Sequence, residues 1–169
     1  MKERLSEYLG SISGVGFRPI GKPDMPFLRK VYRSTRENEL DGTGWSESQK
    51  AEFIHQQFEA QHQHYTKNYN GPFLEIILID EVNAGRLYLV EWDTEIRIMD
   101  IALLPEFRNQ GWGGKILQRI LAVASSRNKK VGIHVEFNNP ARSLYQKLGF
   151  MLEEDKGVYH FIVWRPHQN

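Results

Sequence analysis

The sequence predicts a mixed α/β domain in which a mostly antiparallel sheet of about seven strands carries helices on both faces. Two observations predict this fold. Runs rich in β-branched and aliphatic residues are interleaved with segments in which apolar residues recur at helical spacing. Three of these runs follow one another with only short polar turns between them, which is typical of an antiparallel meander. The predicted order is β-α-α-β-β-β-α-β-α-β-β, in a single domain over residues 1–169.

Three of the predicted helices are marked by the residues at which they start. Asp24 stands at the N-cap position of the first helix, and Pro26 follows in its first turn. Ser46 and Gln49 have capping-box spacing and open the second helix. A third apolar stripe with helical spacing begins near Trp112. These starts place two helices before the meander and one after it.

A fourth helix and the strands complete the predicted pattern. The helix covers 140–148, with Asn139 as its cap and Gly149 as its end. The strands are predicted at 17–20, 73–79, 84–91, 95–104, 131–136, 150–153 and 158–164.

Composition excludes several chemistries. The chain has no cysteine, so disulfides, thiolate metal sites and a cysteine nucleophile are excluded. The first residues are charged and no apolar run is long enough to cross a bilayer, so we expect a cytoplasmic protein with no membrane partner. His55, His62 and His64 do not share one helix face, and we expect no metal site.

Charge is unevenly distributed along the chain. Between 80 and 106 acidic residues dominate, whereas between 107 and 147 Glu136 is the sole acidic residue. The basic residues of that second stretch are Arg108, Lys115, Arg119, Arg127, Lys129, Lys130, Arg142 and Lys147. This basic block suits a polyanionic ligand. Two differently charged solvent-exposed faces would explain the same pattern.

The segment 101–114 combines an apolar strand, a glycine-rich turn and the start of a helix. Backbone N–H groups converge in such a turn, and the helix dipole adds about half a positive charge there. The segment therefore predicts an anion site, with a pyrophosphate as the expected occupant. A P-loop and a Rossmann fingerprint are both excluded, because Ile116 stands where each requires a different residue. Glycines that merely permit a tight turn remain the structural alternative.

Two motifs resemble those of the GNAT superfamily of N-acetyltransferases. Arg108-x-x-Gly111-x-Gly113, after an apolar strand and a proline, resembles the acyl-CoA pyrophosphate loop of that family. The run 138–150, Asn-Asn-Pro-Ala-Arg-Ser-Leu-Tyr-Gln-Lys-Leu-Gly-Phe, resembles its second signature. The two motifs occur in the family's order, separated by one helix and one strand. The resemblance covers about residues 97–150.

The resemblance implies acetyl-CoA as co-substrate and an amine as acceptor. It implies that the backbones of Ala102 and Leu103 pair with the pantetheine arm, and that Asn138 binds this arm where the sheet opens. It implies that Tyr145 faces the thioester sulfur. Backbone amides of the turn are implied to hold the pyrophosphate, namely those of Arg108, Asn109, Gln110, Gly111, Trp112, Gly113 and Gly114.

The chemistry of Tyr145 can be argued separately. A thiol has a pKa of about 8.5 and a phenol about 10, so full proton transfer to the leaving thiolate is uphill by about 2 kcal/mol. We expect Tyr145 to hydrogen-bond the developing thiolate instead. Tyr145 also fits an apolar core stripe with Ala141, Leu144 and Leu148, which is the structural alternative.

The general base is the part that the family resemblance leaves open. Many family members carry Glu or His at the positions that Arg97 and Met99 occupy here, and neither residue is a suitable base. His134 has suitable chemistry on the strand before the second motif. Asp100 points to the opposite sheet face unless a bulge turns it. A water chain or another residue, such as Glu39, stays open, and Arg97 could bind an acceptor carboxylate or pair with Asp93 or Glu95.

We therefore predict an N-acetyltransferase in which the amine attacks acetyl-CoA directly in a ternary complex, with Tyr145, His134 and Asp100 as candidate catalytic residues. A non-catalytic acyl-CoA-binding module is the main alternative. A nucleic-acid-binding domain would use the basic block, but no motif of stacking aromatics supports it, and we expect no nucleic-acid partner. The identity of the acceptor and a homodimer both remain open.

Overall fold

Seven strands form one sheet in the structure, a computed structural model that describes residues 3–167. The strands are β1 (Val15–Pro19), β2 (Phe73–Ile79), β3 (Val82–Glu91), β4 (Glu95–Leu103), β5 (Lys130–Glu136), β6 (Met151–Asp155) and β7 (Tyr159–Trp164). Their spatial order is β1-β2-β3-β4-β5-β7-β6, and every neighbouring pair is antiparallel except β4 and β5. The predicted fold class, a mostly antiparallel mixed sheet with helices on both faces, is confirmed.

Helices cover both faces of this sheet. They are α1 (Leu5–Leu9), α2 (Met25–Ser34), α3 (Glu37–Asp41), α4 (Glu47–Lys67), α5 (Trp112–Ser126) and α6 (Arg142–Leu148). On one face α1, α5 and α6 bury the larger core, which includes Leu9, Ile116 and Tyr145. On the other face α2, α3 and α4 bury a second core around Leu28 and Phe58. The apolar stripe predicted for α5 is buried as expected.

The parallel pair β4–β5 separates part of the way along its length. Pairing runs from Glu95 with Lys130 to Ile98 with Ile133 and then stops, although both strands continue. Beyond that point β4 pairs with β3 alone and β5 with β7 alone among the described residues. The sheet therefore opens into a gap between the second halves of β4 and β5.

The N-terminal part differs from the sequence prediction in four respects. The helix α1 was not predicted, and β1 begins earlier, at Val15. The first predicted helix ends at Ser34, before the short α3. Asp24 does not cap α2, because its carboxylate accepts the Gly21 N–H at 2.8 Å and pairs with Arg18 at 2.9 Å. It closes the 3₁₀ turn that precedes α2.

The predicted caps of α4 and α6 also have different outcomes. Ser46 Oγ accepts the Gln49 N–H at 3.2 Å, and Gln49 Oε1 accepts the Ser46 N–H at 2.9 Å, so the capping box of α4 is confirmed. The last helix begins at Arg142 rather than at 140. Asn139 Oδ1 accepts the Ala141 N–H at 2.8 Å, so it holds a separate turn before α6.

Candidate active site

The glycine-rich turn between β4 and α5 presents a row of unpaired amides. The N–H groups of 109–114 have no hydrogen-bond partner within residues 3–167. The Arg108 N–H instead donates to the Pro105 carbonyl oxygen at 3.1 Å. The predicted set of anion-binding amides is therefore corrected, because the Arg108 amide is already engaged. The amides from Asn109 to Gly114 remain available.

The backbone conformation of this turn makes it concave. Asn109 has a φ of 60° and Gly111 a φ of 88°, so two residues of the turn are left-handed, a conformation found in turns whose successive amides converge on an anion. A Cβ added at Gly111 or Gly113 would meet no atom within 4 Å, so open space lies in front of the amides. The N-terminus of α5 adds positive potential at the same place. The turn thus fits a diphosphate group in both charge and shape.

The side chain of Arg108 supports the turn from behind. Its Nε donates to the Leu103 carbonyl oxygen at 2.8 Å, and its Nη2 donates to Ser34 Oγ on α2 at 3.0 Å. Burial lowers the pKa of this guanidinium. Arg108 therefore connects the end of β4, the turn and α2 through its side chain.

The gap between β4 and β5 begins after Ile98 and runs to the end of β4, which this turn follows. Ala102 and Leu103 pair with Arg86 and Gly85 of β3, and the opposite edge of β4 has no strand partner among the described residues. An extended ligand arm can pair with that edge as an added strand. One lone pair of the Leu103 carbonyl oxygen is already used by Arg108.

Tyr145 lies on α6 and is 4% exposed. Its ring packs edge-to-face on Phe150 with centroids 5.4 Å apart, so it belongs to the core stripe that the structural alternative describes. Its hydroxyl has no hydrogen-bond partner within residues 3–167 and is free to serve a ligand. Burial, followed by the negative charge of Asp100, raises the pKa of Tyr145. The phenol therefore stays protonated and able to donate.

A bulge in β4 decides where Asp100 points. Tyr88 of β3 pairs with Asp100 and Leu89 pairs with Ile98, so Met99 is an extra residue on β4. The bulge turns Asp100 to the face that α4 covers, which alternation alone would not do. There its Oδ2 accepts a hydrogen bond from Arg86 Nη2.

His134 stands on β5 just beyond the last paired residue, Ile133. The side chain is exposed, but its ring packs on Phe161 with centroids 4.7 Å apart. This partial desolvation, followed by the positive charges of Arg97 and Lys156, lowers the pKa of His134. Lys156 Nζ lies 3.3 Å from His134 Nε2. His134 is thus a neutral imidazole at physiological pH.

Comparison with known proteins decides the family. The family model described as "Acetyltransferase (GNAT) family" matches residues 29–150. The chain belongs to this family. That match covers both motifs, the gap in the sheet, four complete helices (α3 to α6) and part of α2.

Solved structures of GNAT proteins share the fold. PaiA N-acetyltransferase from Thermoplasma acidophilum, in complex with coenzyme A, has a TM-score of 0.65 at 17% identity, covering 89% of this chain and 98% of that one. Arabidopsis thaliana Naa50, in complex with the bisubstrate analogue CoA-Ac-MVNAL, has a TM-score of 0.55 at 17% identity, covering 89% and 97%. A GNAT acetyltransferase from Elizabethkingia anophelis with acetyl-CoA bound has a TM-score of 0.59 at 18% identity, covering 91% and 99%. No curated protein matches the chain.

Of the remaining residues named from the GNAT resemblance, one is exposed with an unpaired side chain and two are engaged in ion pairs. Asn138 lies exposed in the turn after β5, and its side chain has no partner within the described part of the chain. Arg97 pairs with Glu95 at 2.5 Å, so of its two predicted roles the structural ion pair is the one observed. Glu39 is 2.9 Å from Arg36 Nη1, which also donates to Glu136 of β5.

Sequence reasoning missed Arg86 and Tyr65 as residues of the site. Arg86 is 2% exposed on β3, and Tyr65 of α4 donates to the Met99 carbonyl oxygen at 3.3 Å. A signal was present in the sequence, because an arginine interrupts an otherwise apolar run in the middle of the meander.

Within residues 3–167 no helix is long and apolar enough to span a bilayer, and no three His, Asp or Glu side chains form a metal-binding group.

Proposed function

We propose that this GNAT protein is an N-acetyltransferase that moves the acetyl group of acetyl-CoA to an amine by direct attack in a ternary complex. One observation carries the proposal. The unpaired amides from Asn109 to Gly114 lie at the N-terminus of α5, beside the gap where β4 and β5 part. A diphosphate held there would direct its extended arm along β4 toward Tyr145. The complexes of the structural neighbours with coenzyme A or acetyl-CoA support this reading.

The chain offers a group for each part of the co-substrate. The amides of 109–114 would hold the pyrophosphate, and Arg108 would keep the turn in shape from behind. The free edge of β4 at Ala102 and Leu103 and the side chain of Asn138 would hold the pantetheine arm, one on each side of the gap. Several converging backbone amides bind an anion directly, so the proposal invokes no metal ion.

Acetyl transfer requires one bond to form and one to break. The amine nitrogen bonds to the acetyl carbon as the carbon–sulfur bond breaks; the nitrogen loses a proton and the sulfur gains one. Tyr145 would donate a hydrogen bond to the sulfur, because its raised pKa keeps its proton in place. Bound acetyl-CoA supplies the thioester.

His134 is the proton acceptor that we propose. Its pKa is lowered by partial desolvation and then by the charges of Arg97 and Lys156, so the imidazole is neutral and able to accept a proton at neutral pH. Lys156 Nζ lies 3.3 Å from Nε2 and would give way to the amine at that atom. It stands on the β5 side of the gap, opposite the unpaired edge of β4. An amine that reaches the acetyl carbon through this gap would pass close to it.

Two measurements test the proposal. Calorimetry with CoA should show binding, and thiol release from acetyl-CoA should rise with at least one of spermidine, Nα-acetyl-lysine and a peptide with a free N-terminus. Binding without thiol release across this panel would favour the non-catalytic acyl-CoA-binding module. Absence of CoA binding by the intact protein would overturn both.

A further inference from the structure

A buried arginine lies on β3, next to the part of β4 that borders the gap. Arg86 is in the middle of β3 and is 2% exposed. A buried charge is costly unless it is paired, and a buried ion pair often adds no stability over apolar residues of similar volume. Arg86 Nη2 donates to Asp100 Oδ2 and to Gln61 Oε1 of α4, the latter at 2.8 Å. This pair therefore calls for a functional explanation.

Several groups converge on one oxygen of Asp100. The Tyr65 hydroxyl lies 3.5 Å from the same Oδ2 and donates to the neighbouring Met99 carbonyl oxygen at 3.3 Å. The Tyr65 ring rests edge-on against Tyr88, with centroids 5.4 Å apart. The bulge at Met99 is what brings Asp100 into this group. The carboxylate is held from β3 and from α4 at once.

The other oxygen of Asp100 is left free. Asp100 Oδ1 has no hydrogen-bond partner within residues 3–167, and 19% of the side chain is exposed. The charge of Asp100 also contributes to the raised pKa of Tyr145 across the gap. An oriented carboxylate with one bound and one open oxygen, on the part of β4 that borders the gap, is suited to a cationic nitrogen.

We propose that Arg86 is a positioning residue that, with Tyr65 and Gln61, holds Asp100 so that Oδ1 binds the ammonium group of a cationic aliphatic acceptor amine. The inference rests on the proposed function and deepens it by naming the substrate class. Asp100 then anchors the acceptor, and His134 takes its proton. A carboxylate at this place favours amines that are protonated in water over uncharged nucleophiles such as arylamines.

Asp100→Asn tests the anchor, because it keeps the shape and removes the charge. With the amine that the wild type acetylates, its KM should rise about 10- to 100-fold, the loss of one charge-assisted hydrogen bond. The kcat should change less than about threefold, CoA affinity should be unchanged, and the acidic limb of the pH profile should remain. A fall in kcat together with loss of that limb would make Asp100 the proton acceptor and overturn the division of roles.

Tyr65→Phe and its matched control test the positioning. Tyr65→Phe should raise the amine KM about 3- to 10-fold, as expected for one neutral hydrogen bond. Tyr69→Phe removes a neighbouring hydroxyl with no partner within residues 3–167, while its ring keeps its place beside Trp92, so it should behave as wild type. Equal KM values for both variants would overturn the role of Tyr65.

Arg86→Met completes the test through a double-mutant cycle. Alone it should raise the amine KM, but in the Asp100→Asn background it should add little, because Arg86 acts through Asp100. Additive effects would overturn the positioning role. If Arg86→Met does not fold, the Tyr65→Phe and Asp100→Asn variants still test whether a positioned Asp100 binds the amine.

The outcomes separate this inference from the proposed function. If the wild-type protein acetylates an alkylamine and Asp100→Asn leaves the KM for that amine unchanged, only the role of Asp100 in binding the ammonium group is overturned. A wild-type protein that acetylates none of the amines overturns both.

Discussion

Arg108 Nη2 donates to Ser34 Oγ at 3.0 Å, so the arginine of the glycine-rich turn is tied to α2. Its Nε is bonded to the Leu103 carbonyl oxygen at 2.8 Å. The guanidinium thus braces the turn whose amides face the proposed diphosphate site. We therefore expect the Arg108 side chain to contribute to CoA binding by holding the turn in its conformation, rather than by contacting phosphate directly.

Removing the hydrogen bonds of the Arg108 side chain should weaken CoA binding although the backbone amides of the turn are kept. We expect Arg108→Met to lower CoA affinity about 5-fold and Ser34→Ala about 2-fold, since each loses hydrogen bonds worth about 1 kcal/mol. Calorimetry measures both. A direct contact with phosphate would instead give a loss that vanishes at about 1 M salt, where charges are screened within about 3 Å.

Gly113→Ala should separate cofactor binding from stability. The added Cβ meets no protein atom within 4 Å, and alanine is favoured over glycine within a helix by about 0.5–1 kcal/mol. The variant should therefore melt at or above the wild-type temperature, yet bind CoA at least 10-fold more weakly because the methyl group occupies the concave turn. Gly42→Ala, whose Cβ makes ordinary contacts at 3.7 Å, is the matched control and should bind CoA normally. Unchanged affinity in Gly113→Ala would place the diphosphate elsewhere.

The pH dependence of kcat/KM should follow His134 on its acidic side. Its folded-state pKa is lowered, so the imidazole loses its proton below the usual pH of about 6.5 and the rate should already be level at pH 7. As pH falls through the lowered pKa, protonation should remove the acceptor and the rate should drop about tenfold per unit. His134→Gln should lower the plateau and abolish this limb. Persistence of the limb in His134→Gln would assign it to another group.

Tyr145→Phe should affect the chemical step alone. We expect kcat to fall about 10- to 100-fold, the range for a positioned hydrogen-bond donor in the transition state, with the KM for acetyl-CoA unchanged. Because burial and then the charge of Asp100 raise the pKa of Tyr145, the wild type should show no loss of rate from this group up to about pH 9. Stability should be retained, since the hydroxyl has no partner within residues 3–167. A normal kcat would reduce Tyr145 to a core residue.

Local sequence patterns predicted the elements well where one face had to be buried. The capping box at Ser46 and the buried stripe of α5 follow from spacing that only a helix satisfies. Asp24 was assigned wrongly because an aspartate before a helix can cap either the helix or the preceding turn. The folded β1 brings Arg18 against Asp24, and this contact helps to hold the Asp24 carboxylate on the preceding turn.

The candidate site was predictable only in part. The turn from 109 to 114 is local, and its glycines and the helix that follows are visible in the sequence. The direction of the Arg108 side chain is not, because its partners Ser34 and Leu103 are brought together by the sheet and α2. The ion pair of Arg86 with Asp100 depends likewise on the register between β3 and β4.

By itself the sequence determined the order of the seven strands and of four helices, the glycine-rich turn and the family, because each depends on residues close together in the chain. The tertiary structure decided which groups face the gap. A single extra residue, Met99, reverses the side on which Asp100 lies, since side chains alternate along a strand and a bulge shifts that alternation by one. The pairing that creates the bulge joins two strands, and no local pattern in either strand specifies it.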